Sequence, residues 1–174
     1  MKELAELFMK YFQNPEVGAE IAGKKTKIYR TLVYESLIPA AVETEVVNYE
    51  RASQIIRQSG GGALSLCNCR HLAGHLGQPC KMKAPMEVCS SLGELGQWVA
   101  RRGVGKPAIM DDLLRVLDRT EKLGLVHTCD NVLDQPAYLC HCCGCCCNVL
   151  RPIKFGLSLT HPSNFIPIRE KEII

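Results

Sequence analysis

Residues 139–150 read LCHCCGCCCNVL, and six of the eight residues from position 140 to position 147 are cysteine. Only His141 and Gly144 interrupt the run. Packing alone does not select so many neighbouring thiols, because the reactivity of a cysteine usually decides whether it is retained. The run therefore indicates metal binding, and we expect the rest of the fold to be organised around it.

The composition is that of an ordinary globular chain of one domain, with or without a small appendage. The chain has 174 residues, of which 47% are apolar and 22% charged, which is typical of a soluble protein. The net charge of +3 is small and the basic residues are scattered, so we expect no nucleic-acid partner. The apolar stretches are too short to span a membrane. The sequence does not indicate an oligomeric state.

The eleven cysteines are better read as thiols than as disulfides. The opening MKELAELFMKYF has acidic residues within an amphipathic pattern, which is typical of a helix rather than an export signal. An odd cysteine count without an export signal argues against a disulfide framework. Adjacent residues such as Cys145 and Cys146 are also poorly placed to pair with each other. We therefore expect a reduced, cytoplasmic protein.

Ten cysteines are candidate metal ligands, and they fall in two regions. The first region, residues 67–89, reads CNCRHLAGHLGQPCKMKAPMEVC, and the second is the run itself. The candidates are Cys67, Cys69, Cys80, Cys89, Cys140, Cys142, Cys143, Cys145, Cys146 and Cys147. Cys129 stands alone in the sequence, and we expect it to be a buried small residue.

The spacing favours an iron–sulfur cluster over zinc. Cys140, Cys143 and Cys146 have the C-x2-C-x2-C spacing of iron–sulfur ligands, but Leu150 stands where a fourth cysteine would follow. The fourth ligand must then come from the first region. One zinc ion needs only four ligands, usually from two C-x2–4-C knuckles, and the first region has no such knuckle. The expected cofactor is a [4Fe-4S] cluster or a larger, non-standard one, with zinc as the alternative.

Residues beside the cysteines are expected to support the metal rather than bind it. Arg70 follows Cys69 and is the candidate cofactor-binding residue, because a positive charge would compensate a thiolate-bound cluster and tune its potential. His71, His75 and His141 could replace thiolates, but with so many thiolates available we expect them to hydrogen-bond instead.

The local patterns predict an α+β fold that is mainly helical with a few short strands, in which two cysteine-rich loops converge on a metal site. We expect three segments: an N-terminal helical segment (1–44), a cysteine-rich iron–sulfur domain (45–150) and an extended C-terminal tail (151–174). Apolar periodicity and breakers predict helices over 2–13, 28–38, 49–58, 86–101 and about 112–123, with a strand over 63–66 and a loop over 67–89.

A set of short motifs, in a fixed order, resembles a known family. The motifs are Val47-Asn48-Tyr49-Glu50-Arg51-Ala52, Cys67-Asn68-Cys69-Arg70, Gln78-Pro79-Cys80, Pro85-Met86-Glu87-Val88-Cys89, Gly124-Leu125-Val126-His127, Asp130-Asn131, the cysteine run and Pro162-Ser163-Asn164-Phe165. Together they are similar to ferredoxin-type iron–sulfur proteins of anaerobic bacteria and archaea. The resemblance implies a 4Fe-4S electron-transfer protein.

The chain departs from that family at two points. The family often has asparagine where this chain has His141, which disfavours that residue as a ligand. Family members also continue into C-x2-C-x2-C-x3-C-P ferredoxin motifs, which are not found before Ile174. The resemblance then implies that the partner is a redox protein, or a ferredoxin domain or subunit.

The expected function is therefore an electron-transfer or redox module of anaerobic metabolism. A zinc- or cluster-stapled structural or regulatory domain, with a winged-helix-like form among the options, is the alternative. A third reading is an enzyme whose unusual cluster reduces a small substrate. The sequence has no recognisable nucleophile–base pair, so it leaves open whether the chain is part of an oxidoreductase.

Overall fold

The computed structural model describes Lys27 and residues 29–37, 51–132, 135–156 and 158–162. Within these residues, seven strands form one open mixed sheet in the order β4-β2-β3-β6-β5-β1-β7. The strands are β1 (Tyr29–Thr31), β2 (Gly62–Leu66), β3 (Glu87–Leu92), β4 (Lys106–Ala108), β5 (Val126–Asp130), β6 (Tyr138–Cys142) and β7 (Thr160–His161). The β1–β7 pair is parallel and the others are antiparallel.

Four α-helices and two short 3-10 helices accompany the sheet in the described residues. The α-helices are α1 (Ala52–Ser59), α2 (Asn68–His75), α3 (Gly93–Arg101) and α4 (Met110–Lys122), and the 3-10 helices are Glu35–Leu37 and Arg151–Phe155. The Asp112 carboxylate accepts a hydrogen bond from the Ile109 N–H at 3.2 Å, which caps the start of α4. No helix in this part of the chain is long and apolar enough to cross a membrane.

The prediction of a mainly helical fold is wrong, because the sheet is the central element. Residues 87–92, predicted as the start of a helix, form β3, which pairs with β2 on one side and β6 on the other. Gly93, with φ of +50°, directly follows this strand and is the first residue of α3. Non-local strand pairing outweighs the weak helical periodicity of this segment.

Two further element predictions need correction. Within the predicted helix 28–38, Tyr29–Thr31 instead forms β1, which pairs with β5 and β7. The predicted loop over 67–89 contains α2 and the start of β3, so Cys69 and Cys89 lie on regular elements. The predicted helix 2–13 and most of the C-terminal tail lie outside the described residues.

The main hydrophobic core lies between the sheet and the helices α1 and α4. Ile55 and Ile56 of α1 and Leu113 of α4 are buried there together with Leu139 of β6. Successive side chains of a strand point to opposite faces of the sheet. Leu139 and His141 therefore face the helices α1 and α4, and Cys140 and Cys142 point to the opposite face.

Two glycines allow α3 to lie directly against the sheet. A Cβ atom at Gly96 would come within 2.5 Å of the Gly62 Cα and 2.6 Å of the Ser91 carbonyl oxygen. Both neighbours are backbone atoms, which cannot rotate away. The close approach fixes the start of β2, and with it the path of the chain towards Cys67.

Candidate metal centre

Regular elements hold five of the ten candidate thiols. Cys140 and Cys142 lie on β6, and Cys89 lies on the neighbouring strand β3. Cys67 is the residue before α2 and Cys69 lies in its first turn. The Cys67 N–H donates to the Met86 carbonyl at 2.7 Å, which ties the start of α2 to the end of the segment that leads into β3.

The other candidate thiols come from a turn and a loop. After β6 the chain turns sharply, and the Cys147 N–H donates to the Cys143 carbonyl at 3.2 Å. This turn carries Cys143, Cys145, Cys146 and Cys147. Cys80 lies in the irregular segment between α2 and β3. None of the eleven cysteines, each of which the structure describes, forms a disulfide.

Four of the thiols, which we call the four-thiol group, can bind one metal ion. The group consists of Cys80, Cys143, Cys145 and Cys146, whose Sγ atoms all lie within 4.8 Å of one another. The Cys80 sulfur is 3.7 Å from the sulfurs of both Cys143 and Cys145, and the Cys145 and Cys146 sulfurs are 3.8 Å apart. The first cysteine region and the run therefore meet at this group.

The other six candidate thiols line a cavity of about 250 Å³, which we call the six-thiol cavity. They are Cys67, Cys69, Cys89, Cys140, Cys142 and Cys147. Tyr29 and Tyr138 also line the cavity, and their rings meet edge to face with centroids 6.2 Å apart. The volume is several times the roughly 30 Å³ that one water molecule occupies, so the cavity has room for more than a single ion.

Hydrogen bonds between the sulfurs shift the thiol pKa values within the cavity. A hydrogen bond from Cys140 lowers the pKa of Cys89 to about 6, against the opposing effect of burial. Bonds from Cys140 and Cys147 likewise lower the pKa of Cys142. The pKa of Cys140 is raised in turn by its bonds to Cys142 and Cys89. Thiolate charge is thus favoured at two of the six sulfurs, which is the form that binds metals.

Backbone and hydroxyl donors also point at these sulfurs. The pKa of Cys69 is raised by its bond to Cys147 and by burial, while the backbone N–H of Asn148 acts in the opposite direction. The Thr128 hydroxyl lies 3.5 Å from the Cys142 sulfur. Such donors tune thiolate-bound metals.

Within the four-thiol group, Cys145 is the residue whose thiolate is favoured. Burial acts to raise the pKa of Cys145, but the Met82 backbone N–H and the thiols of Cys143 and Cys80 outweigh it and lower the pKa to about 6. Burial raises the pKa of both Cys143 and Cys146. A bound cation would remove those protons, because metal ligands must be deprotonated.

Arg70 lies between the two sets of thiols and is 2% exposed. Its Nη1 donates to the Pro85 carbonyl at 2.6 Å and its Nη2 donates to the His141 carbonyl. The Nε has no hydrogen-bond partner among the described residues. Burial acts to lower the pKa of Arg70, but Cys67 and Cys143 outweigh it and raise the pKa. A buried cation with a spare donor, beside so many thiols, fits an anionic occupant of the cavity.

The histidines near the cysteines make hydrogen bonds within the protein. His141 is 2% exposed on the helix side of the sheet, where its Nδ1 lies 2.7 Å from the Thr120 hydroxyl and its Nε2 lies 3.4 Å from that of Ser90. His71 and His75 are neighbours on α2, with their Nε2 atoms 3.2 Å apart. None of the three histidines belongs to the four-thiol group. His141 lines the six-thiol cavity, and His71 and His75 do not.

Cys129 lies apart from both sets of thiols. It is fully buried on β5 in the main core beside Leu139, and it accepts a hydrogen bond from the Arg30 Nε at 3.0 Å. Its position makes it a useful control for the candidate ligands.

The division of the ten thiols into four and six is the feature that sequence spacing does not reveal. The C-x2-C-x2-C spacing groups Cys140 with Cys143 and Cys146, whereas in the structure Cys143 and Cys146 join Cys80 and Cys145 in the four-thiol group and Cys140 does not. Of these three thiols, Cys140 and Cys143 line the six-thiol cavity. The i, i+2 spacing of Cys140 and Cys142 was the available signal, because it places both on one face of a strand.

Comparison with known protein families, with curated proteins and with solved structures gives no match for this chain.

Proposed function

We propose that the protein binds an iron–sulfur cluster and serves as an electron-transfer module. The order of the cysteine motifs supports this proposal through its similarity to ferredoxin-type iron–sulfur proteins. The partner would be a redox protein, or a ferredoxin domain or subunit. The four-thiol group can hold a metal ion, and the cluster itself is proposed for the six-thiol cavity.

One observation carries the proposal: seven thiols, the six named above and Cys143, line together with the buried Arg70 a cavity that is larger than one ion needs. Iron–sulfur clusters are held by cysteine thiolates, and their potentials depend on net charge and on hydrogen bonds to sulfur. A bound cluster would supply one-electron chemistry. Cys69, Cys89 and Cys142 would provide ligands, and the guanidinium of Arg70 would compensate negative charge.

The surroundings of the cavity suit a redox centre better than a substrate pocket. The Asn148 N–H and the Thr128 hydroxyl would donate to ligand sulfurs, and Leu159 and Val88 would keep water away. In the described residues we find no nucleophile paired with a base at this cavity. The proposal therefore assigns electron transfer and not the conversion of a small substrate.

The proposal is tested by analysing protein purified without oxygen. We expect a brown protein that contains iron and acid-labile sulfide, and that gives an EPR signal on one-electron reduction. Cys69→Ser should lose most of the iron, whereas the control Cys129→Ala should keep it. A colourless protein that still lacks iron and sulfide after reconstitution, and that binds only zinc, would instead support the structural alternative.

A further inference from the structure

We infer that the ten candidate thiols serve two separate metal centres of different kinds. In this inference the four-thiol group binds a single tetrahedral divalent ion, of which Zn²⁺ is the usual example, and any cluster is confined to the six-thiol cavity. The cluster half of the inference rests on the proposed function. The single-ion half does not.

The sulfur–sulfur distances in the four-thiol group match a single ion. A metal–sulfur bond of about 2.3 Å places two sulfurs of a tetrahedral site about 3.8 Å apart. Three of the six sulfur–sulfur separations are 3.7, 3.7 and 3.8 Å, and all six are within 4.8 Å. In a cluster with several irons each thiolate binds its own iron, so the sulfurs stand further apart than those on one ion. The group is thus already arranged for one ion.

The two sets of thiols are carried by different parts of the chain. The six-thiol cavity takes its thiols from the start of α2, from β3, from β6 and from Cys147. The four-thiol group takes its thiols from Cys80 in the segment between α2 and β3 and from the turn after β6. The boundary falls between Cys142 and Cys143, where β6 ends. Cys143 and Arg70 lie along this boundary and also line the cavity.

The position of the four-thiol group suits a structural role. Ala73, Leu125 and Ala84 pack around its sulfurs. Cys80 belongs to the segment between α2 and β3, which has no regular secondary structure. An ion bound by Cys80 and by the turn 143–147 would tie that segment to the end of β6. Four protein ligands leave no open position on such an ion, as in structural sites.

Metal analysis of three variants of the full-length chain tests the inference. Wild-type protein, purified anaerobically from medium that contains iron and zinc, should hold about one zinc per chain in addition to iron and sulfide. In Cys80→Ser the zinc content should fall by more than about tenfold relative to the wild type. The iron, the sulfide and the EPR signal should be kept. Cys69→Ser should lose the iron and keep the zinc. Cys129→Ala should keep both.

Cobalt provides the coordination geometry and guards against a folding artefact. After a chelator has removed the zinc from Cys69→Ser, added Co²⁺ should give the visible absorption of a tetrahedral tetrathiolate site at about one equivalent. If Cys80→Ser fails to fold, Cys80→His should still fold and retain zinc, because three thiolates and one imidazole also form a tetrahedral site.

The outcomes separate this inference from the proposed function. Equal loss of iron from Cys80→Ser and Cys69→Ser, with no zinc in the wild type, would overturn the inference and leave the iron–sulfur proposal standing. Zinc that depends on Cys80, in a protein that takes up no iron or sulfide, would overturn the proposed function and support the single-ion site.

Discussion

Arg70 is the residue whose role depends most on what occupies the cavity. Its two backbone contacts, to Pro85 and His141, hold the guanidinium beside Cys67 and Cys143. A buried positive charge without an anionic neighbour is costly. The Nε has no hydrogen-bond partner among the described residues, so we expect it to face negative charge when the proposed cluster is bound.

Replacing Arg70 should therefore shift the reduction potential of the bound centre. Arg70→Met should lower the potential, because the reduced, more negative state loses a compensating charge, and should cost about 3 kcal/mol of stability. In Arg70→Lys the reduction potential should stay close to the wild-type value because the positive charge remains, although the paired hydrogen bonds to the Pro85 and His141 carbonyls are lost. A redox titration followed by EPR measures the effect.

Arg102→Met is the control, since Arg102 is exposed above Trp98. An equal shift of the reduction potential in Arg102→Met would contradict charge compensation by Arg70.

His127 should make stability sensitive to acid. Burial lowers the pKa of His127 to about 4, from an ordinary value of 6.5. Between these values the unfolded chain binds a proton that the folded chain does not, so stability is fully present above pH 6.5 and falls as the pH drops towards 4. The loss should be about 2 kcal/mol at about pH 5.

The measurement is urea unfolding of the wild type and of His127→Phe at pH 7 and pH 5. The phenyl ring keeps the edge contacts with Tyr34 and His141 and cannot be protonated. The variant should therefore lose less stability on acidification. Because both proteins carry the same thiols, metal loss at low pH affects both and cancels in the comparison. Equal losses would contradict a buried neutral histidine.

At the scale of elements, β6 and the turn after it divide the cysteine run. Strand alternation directs Cys140 and Cys142 to the cavity, and the turn carries Cys143, Cys145 and Cys146 to Cys80. Spacing rules for metal ligands assume a loop, so they group cysteines by sequence intervals. A run that is half strand and half turn breaks that assumption.

The cysteines of the turn should contribute more to metal binding than Cys129, the isolated thiol on β5. Serine at Cys143 or at Cys146 should remove most of the metal bound by the four-thiol group, because three thiolates and a hydroxyl bind a soft ion poorly. Serine or alanine at Cys129 should leave the metal content unchanged. Metal analysis of protein dialysed against a weak chelator makes the comparison, and equal losses from all variants would show that the ligands are misassigned.

The contact between α3 and β2 gives an independent test of the fold. Gly96→Ala should destabilise the protein by about 1–3 kcal/mol, because the new methyl group would meet backbone atoms of Gly62 and Ser91. Gly74→Ala on α2 is the matched control, since no atom lies within 4 Å of its Cβ position, and alanine favours a helix. Urea unfolding should show a loss only at Gly96; a loss of the same size at Gly74 would contradict the packing.

At the scale of the whole molecule, the sequence predicted the chemistry better than the architecture. The density of thiols indicated metal, and the two cysteine regions do meet at Cys80 and the run. The sheet was missed because β1 and β3 pair with strands far along the chain. Local periodicity cannot reveal such pairing. The position of Cys67 and Cys89 at the same cavity as Cys140 and Cys142 likewise depends on strand order, which no spacing rule contains.

Anomalous diffraction from crystals of the anaerobically purified protein can distinguish the two centres, because data at the iron and zinc absorption edges identify and place each metal. We expect several iron atoms within the cavity formed by Cys67, Cys69, Cys89, Cys140, Cys142 and Cys147, and one separate ion among Cys80, Cys143, Cys145 and Cys146. Zinc at both positions with no iron in the cavity would contradict the account.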